Sequence, residues 1–130
     1  MMPTPKLRLG FRPGVFHAND PDQPFWLVIH VGGLVERHLA PPSLADLQGA
    51  VRGNIEAYQV THPRVNAIAL GNEDAHAMGL LANPYAWSLT GLHLLGPLVL
   101  IGGADAQGDF TQLDPPGAGV IEAYVRGTRN

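Results

Sequence analysis

Pro41–Val60, PPSLADLQGAVRGNIEAYQV, is the stretch around which the rest of the chain can be placed. Pro41 and Pro42 end any strand that precedes them, because proline has no amide N–H to give to a ladder. Ser43 is a strong helix N-cap, and Asp46 stands where a capping box and the helix dipole favour an acid. Leu44, Leu47 and Val51 then fall on one face of a helix. Gly53 sits where a left-handed C-terminal residue is expected. Gly49 in the interior costs roughly 1 kcal/mol relative to alanine, so this helix depends on its packing. Ile55–Val60 returns at once to strand character. The stretch predicts a helix over about 43–53 and a strand directly after it.

Upstream, Phe25–Val31 (FWLVIHV) is rich in β-branched and aromatic residues and is bounded by Pro24 and the pair Gly32-Gly33. A tight turn at the glycines returns the chain as a second strand, Leu34–Leu39. Residues 1–24 hold five prolines and no helical period, which predicts an extended arm with a short strand near Val15–His17. Lys6, Arg8 and Arg12 precede the first acid, Asp20, so the arm offers a weak route to nucleic-acid phosphates. A solvated tail explains the same letters more simply.

Downstream, Val65–Leu70 reads as a strand ending in the polar run Gly71–Asp74. A short helical or looped segment follows over about 75–90. Leu98–Ile101 is an unbroken apolar run of the kind found in buried strands. Gly102, Gly103 and Gly108 frame turns before a possible edge strand, Asp109–Leu113. Asp114–Gly119 (DPPGAG) reads as a linker, and Val120–Arg126 fits either a last strand or a short helix. Gly53–Tyr58 is echoed by Gly119–Tyr124 with five identities in six, a likeness better explained by chance than by duplication, since the helix before the first copy is not repeated. The expected organisation is an arm (1–24), a domain (25–113) and a linker with a C-terminal element (114–130). The expected class is α+β: a single twisted, mainly antiparallel sheet with one packed helix.

Composition narrows the function. A chain of 130 residues with 45% hydrophobic and 15% charged residues has the material for one core. Zero cysteines excludes disulfides, thiolate nucleophiles and cysteine-based zinc sites. A net charge of −3 argues against coating nucleic acid or an anionic membrane. The most apolar run, Leu92–Ala104, is 13 residues long and broken by His93, Gly96 and Pro97, too short to span a bilayer. No apolar block follows the basic N-terminus as a signal peptide would require. A soluble, cytoplasmic protein is the expectation.

Motifs for catalysis are scarce. Ser43 is engaged as a cap, Ser88 lacks a nucleophile elbow, and the glycines at 102–108 lack the lysine of a phosphate-binding loop. Glu73, Asp74 and His76 could surround a cation only if the loop wrapped it, and a surface turn is the better reading. The six histidines show no zinc-binding spacing. Trp26, Val28 and His30 share one strand face, which makes His30 a packed histidine. Glu56 alternates with Ile55 and Ala57 and shares its face with Tyr58; buried, it would be an acid/base candidate, and exposed, an ordinary glutamate. No catalytic residue, metal or cofactor is assigned.

Leu44, Leu47, Gln48, Val51, Gly53, Ile55 and Glu56, then Asn72-Glu73, then Gly79-Leu80 with Asn83-Pro84 and Ala86, then Gly96, Val99, Ile101 and Gly102 form a pattern that resembles domain of unknown function 3846, across roughly residues 26–113. The chain departs from it at Arg52, where the family usually has a second glycine. The resemblance implies a small mixed α+β accessory protein of the kind carried by bacteria and phages, with no catalytic residues to carry over. Gln48, Glu56, Asn72, Glu73 and Asn83 match its polar positions and become the candidate ligand-binding residues. Two functions follow as expectations: a non-enzymatic module that binds a protein or small ligand, with a homodimer compatible; or a small-molecule or nucleotide-binding protein or enzyme built on Glu56, Asn72, Glu73 and Asn83.

Overall fold

A computed structural model describes residues 23–129 of the chain, so the expected arm and its strand at Val15–His17 lie outside the described residues. Strand β1 (Trp26–Ile29) turns back through Gly33, whose φ is +95°, into β2 (Val35–His38). Helix α1 (Leu44–Val51) leads to β3 (Ile55–Gln59) and β4 (Ile68–Asn72). A run of turns and the short helix α2 (Ala86–Thr90) fill the expected 75–90 segment, followed by β5 (Leu98–Ile101). Two-residue strands β6 (Gly103–Ala104) and β7 (Phe110–Thr111) precede helix α3 (Pro115–Arg129). The architecture is α+β.

Five strands form one antiparallel sheet in the order β2-β1-β5-β4-β3, and β6 and β7 pair separately. Alternation along β1 and β5 sends their apolar residues to both faces. On one face Trp26, Val28, Leu70, Val99 and Ile101 pack with Leu47 and Val51 of α1. On the other, Leu27, Ile29, Ala69, Leu98 and Leu100 pack with Ala86 and Leu89 of α2 and Ala118, Ile121 and Val125 of α3. Full burial of an aliphatic side chain of this size contributes about 1.5–3 kcal/mol, so the central strands, buried on both sides, carry most of the core.

The α1 cap forms as its letters require. Asp46 N–H donates to Ser43 Oγ at 3.0 Å, and Ser43 N–H donates to Asp46 Oδ2 at 2.9 Å. The helix ends one residue earlier than expected: Arg52, not Gly53, takes the left-handed conformation, with φ +70°. Gly53 is required for a different reason. A Cβ there would stand 2.8 Å from Nδ2 of Asn72, so the chain passes too close to that amide for a side chain.

Two expectations need correction beyond shifts of a residue or two at strand ends. Asp114–Gly119 is not a linker: Pro115 opens α3, where a missing N–H costs nothing, and the helix runs unbroken to Arg129. The sheet therefore carries helices on both faces, α1 on one and α2 with α3 on the other. The edge strand expected over Asp109–Leu113 shrinks to Phe110–Thr111 in a separate ribbon, while Leu113 turns inward and is fully buried.

Candidate functional site

The strand registers bring the polar motif to one end of the sheet. Ile29 pairs with Val35 and Leu98, and Ile55 pairs with Asn72, so the end of β1, the start of β5, the end of β4 and the start of β3 share a rim. Asn72 and Asn83 are both buried there. Asn72 Nδ2 donates to the Val51 carbonyl at 3.0 Å, closing the end of α1, and its Oδ1 accepts from Asp74 N–H at 2.7 Å. Asn83 Nδ2 donates to the carbonyls of Ile29 at 3.0 Å and Gly96 at 2.9 Å, and its Oδ1 accepts from Tyr85 N–H at 3.0 Å. Each amide satisfies backbone groups that no ladder reaches, the usual condition for burying an amide.

Beside this frame lies an open cleft of about 200 Å³ lined by Tyr58, Glu73, His76, His93, Leu94 and Leu95, with Gly71 and Asn72 at its base. Tyr58 and Gly71 lie on the same face of the β3–β4 pair, and the phenol ring passes over Gly71, where a Cβ would meet it at 3.3 Å. Tyr58 Oη donates to Glu56 Oε1 at 3.0 Å. Burial first, then the hydrogen bond and charge of Glu56 and the charge of Glu73, push the Tyr58 phenol above its ordinary range. At the mouth, His93 stacks on Trp87 with ring centres 4.6 Å apart and planes inclined by 14°. Trp87 is 56% exposed, unusual for the largest apolar side chain.

A second, larger open groove of about 590 Å³ runs between β2 and α1 and is lined in part by Trp26, Glu36, His38, Pro41 and Asp46. Glu36 meets His30 Nε2 at 2.9 Å and His38 Nε2 at 3.2 Å, one through each oxygen. The His30 hydrogen bond is the main reason the Glu36 carboxyl lies below its usual range. His38 stacks on Trp26 at 3.9 Å, and Trp26 Nε1 donates to the Ala40 carbonyl. His30 is thus half-buried and paired rather than simply packed. Among the described residues no group of three His, Cys, Asp or Glu side chains is placed to hold a metal ion.

Of the candidate residues, Asn72 and Glu73 line the cleft, and Glu56 is joined to it through Tyr58. Asn83 does not line it, but Asn83 N–H donates to the carbonyl of Leu94, a wall residue. Gln48 is on α1, across the sheet from Tyr58; its carbonyl accepts from the N–H groups of Arg52 and Gly53 at the helix end. Sequence reading missed Trp87 and His93. Tyr58 was within reach of it, since it shares the face of Glu56, whereas no local spacing links Trp87 and His93 to that strand.

Among the described residues no helix is long and apolar enough to cross a membrane. Comparison with curated proteins and with solved structures found no match. The family described as "Domain of unknown function (DUF3846)" matches residues 26–124, which takes in the whole five-stranded sheet and most of α3. The chain belongs to that family, DUF3846.

Proposed function

We propose that the protein is a non-enzymatic binding module whose ligand site is the cleft lined by Tyr58, Glu73, His76 and His93. The observation that carries this reading is the division of labour at the rim. The two asparagine amides are engaged within the fold, with backbone groups and, for Asn72, the Met78 sulfur, whereas the acidic, phenolic and imidazole side chains line an open cleft. Rigid walls beside adaptable polar groups suit recognition. An enzyme built on Glu56, Asn72, Glu73 and Asn83 is less well supported, because Asn83 does not line the cleft and neither amide has a free donor directed at a substrate. An accessory role of the kind carried by phages or other mobile elements is proposed on the family resemblance.

The test is a fragment screen followed by amide chemical-shift mapping. Hits should perturb Tyr58, Glu73, His76 and His93 together, and His93→Ala should weaken them. Hits that map elsewhere would overturn the reading, as would turnover of an ester, phosphoester or nucleotide that is abolished by Glu56→Gln.

A further inference from the structure

The charge distribution around the cleft is one-sided. No lysine or arginine occurs between Arg64 and Arg126, so the segments that build the walls, 71–76 and 93–95, bring Glu73 and Asp74 but no permanent cation. Glu56 adds a third carboxylate through its hydrogen bond with Tyr58. Beside these acids stands a flat, exposed aromatic surface, Trp87 stacked on His93, with exposed Leu92 next to His93 in the chain. Those two features together fit one side chain better than others. A guanidinium is planar, stays charged, binds carboxylates through several N–H groups and stacks on aromatic rings; an ammonium shares only the charge. Trp87, stacked on a wall residue of the cleft and exposed, is also of a residue type enriched at binding hot spots.

We infer that the cleft receives an arginine side chain from an extended segment of a partner protein, its guanidinium against Glu73 and the Trp87–His93 aromatic surface and an apolar neighbour against Leu92. This inference rests on the cleft being the binding site. Leu94 and Leu95 supply the apolar wall along the arginine stem, and Asn83 holds that wall through Leu94 and Gly96. Glu73 is exposed and its backbone N–H is held by the Asn54 carbonyl at 2.8 Å, so the carboxylate is presented from a fixed point. The opposite charge balance across the interface would steer encounter and favour basic over acidic partners.

The test uses the full chain and three fluorescein-labelled hexapeptides that differ only at a central arginine, glutamine or glutamate flanked by leucines. Anisotropy should show the arginine peptide binding about tenfold more tightly than the glutamine peptide, with the glutamate peptide weakest. Glu73→Gln should remove that preference, bringing the arginine and glutamine peptides to similar affinity, whereas Trp87→Ala should weaken both. Circular dichroism checks that the variants are folded. Equal affinity for the arginine and glutamate peptides, an arginine preference that survives Glu73→Gln, or binding that shifts resonances away from the cleft would overturn the inference. If fragments perturb the cleft but none of the peptides binds, the arginine assignment fails and the binding site stands. If fragments also bypass the cleft, both fail.

Discussion

Nδ2 of Asn72, the last residue of β4, donates to the carbonyl of Val51, the last residue of α1, and a Cβ on Gly53 would stand 2.8 Å from the same nitrogen. This one amide joins the helix end, the strand end and the following turn. Asn72→Ala should therefore leave the Val51 carbonyl and the Asp74 N–H without their partner and destabilise the fold by about 2–3 kcal/mol. Urea unfolding measures it. A loss below about 0.5 kcal/mol would mean that water or a shifted backbone replaces the amide.

Arg52 is the one non-glycine residue with positive φ among the described residues. Glycine adopts that conformation without the steric cost a Cβ brings. Arg52→Gly should stabilise the protein by about 0.5–1 kcal/mol, net of the extra freedom of glycine in the unfolded chain. The urea midpoint should rise with an unchanged slope. A lower midpoint would show that the exposed arginine side chain makes a contact worth more than the relief of strain.

Glu36 gains from His30 and His38 a carboxyl that titrates below its usual range. Its stabilising contribution is therefore fully present above the unfolded carboxyl's range and is lost as pH falls through the folded one. The side chain is 45% exposed, so solvent screening keeps the gain to about a few tenths of a kcal/mol. The stability gap between wild type and Glu36→Gln should narrow as the solution is acidified into that window. A gap that stays constant with pH would point to packing instead of charge.

For Tyr58, burial raises the phenol first and Glu56 adds to it. Replacing Glu56 with glutamine should bring the phenol down toward its ordinary range without reaching it, because the burial remains. Alkaline absorbance titration, with Tyr58→Phe subtracted to isolate the signal, reads this directly. An unchanged titration would place the Glu56 charge outside the cleft's field.

The α1 segment was legible because its signals are local. Ser43 and Asp46 are three residues apart and satisfy each other, whatever the rest of the chain does. Leu98–Ile101 was legible for a similar reason, since an apolar run that short has to be covered on both sides. The cleft was only partly legible. Asn72-Glu73 stood out as a polar end to a strand, yet His93, with Trp87 stacked on it, shares a cleft with Tyr58 only because β4 pairs with both β3 and β5. Asn83 drew notice as a residue before proline, but its partners Ile29 and Gly96 lie 54 and 13 residues away, a distance no local pattern spans.

The twin stretches Gly53–Tyr58 and Gly119–Tyr124 mark the boundary between the two kinds of information. They differ at one position in six, yet the first forms the start of β3 and the second lies inside α3. In β3, Ile55 turns toward the α1 side while Glu56 and Tyr58 face the other, a period of two set by pairing with β4. In α3, Ala118, Ile121 and Val125 form a buried stripe against the opposite sheet face, and Glu122 reaches Arg37 at 3.1 Å. By itself the sequence determined the helix cap at Ser43, the alternation of apolar residues and the punctuation at proline and glycine, because those depend on neighbours along the chain. Which conformation Ile-Glu-Ala-Tyr takes was decided only in the tertiary structure. An edge strand was waiting to be paired in one place and an apolar sheet face to be covered in the other, and burial outweighs the small intrinsic preferences of six residues.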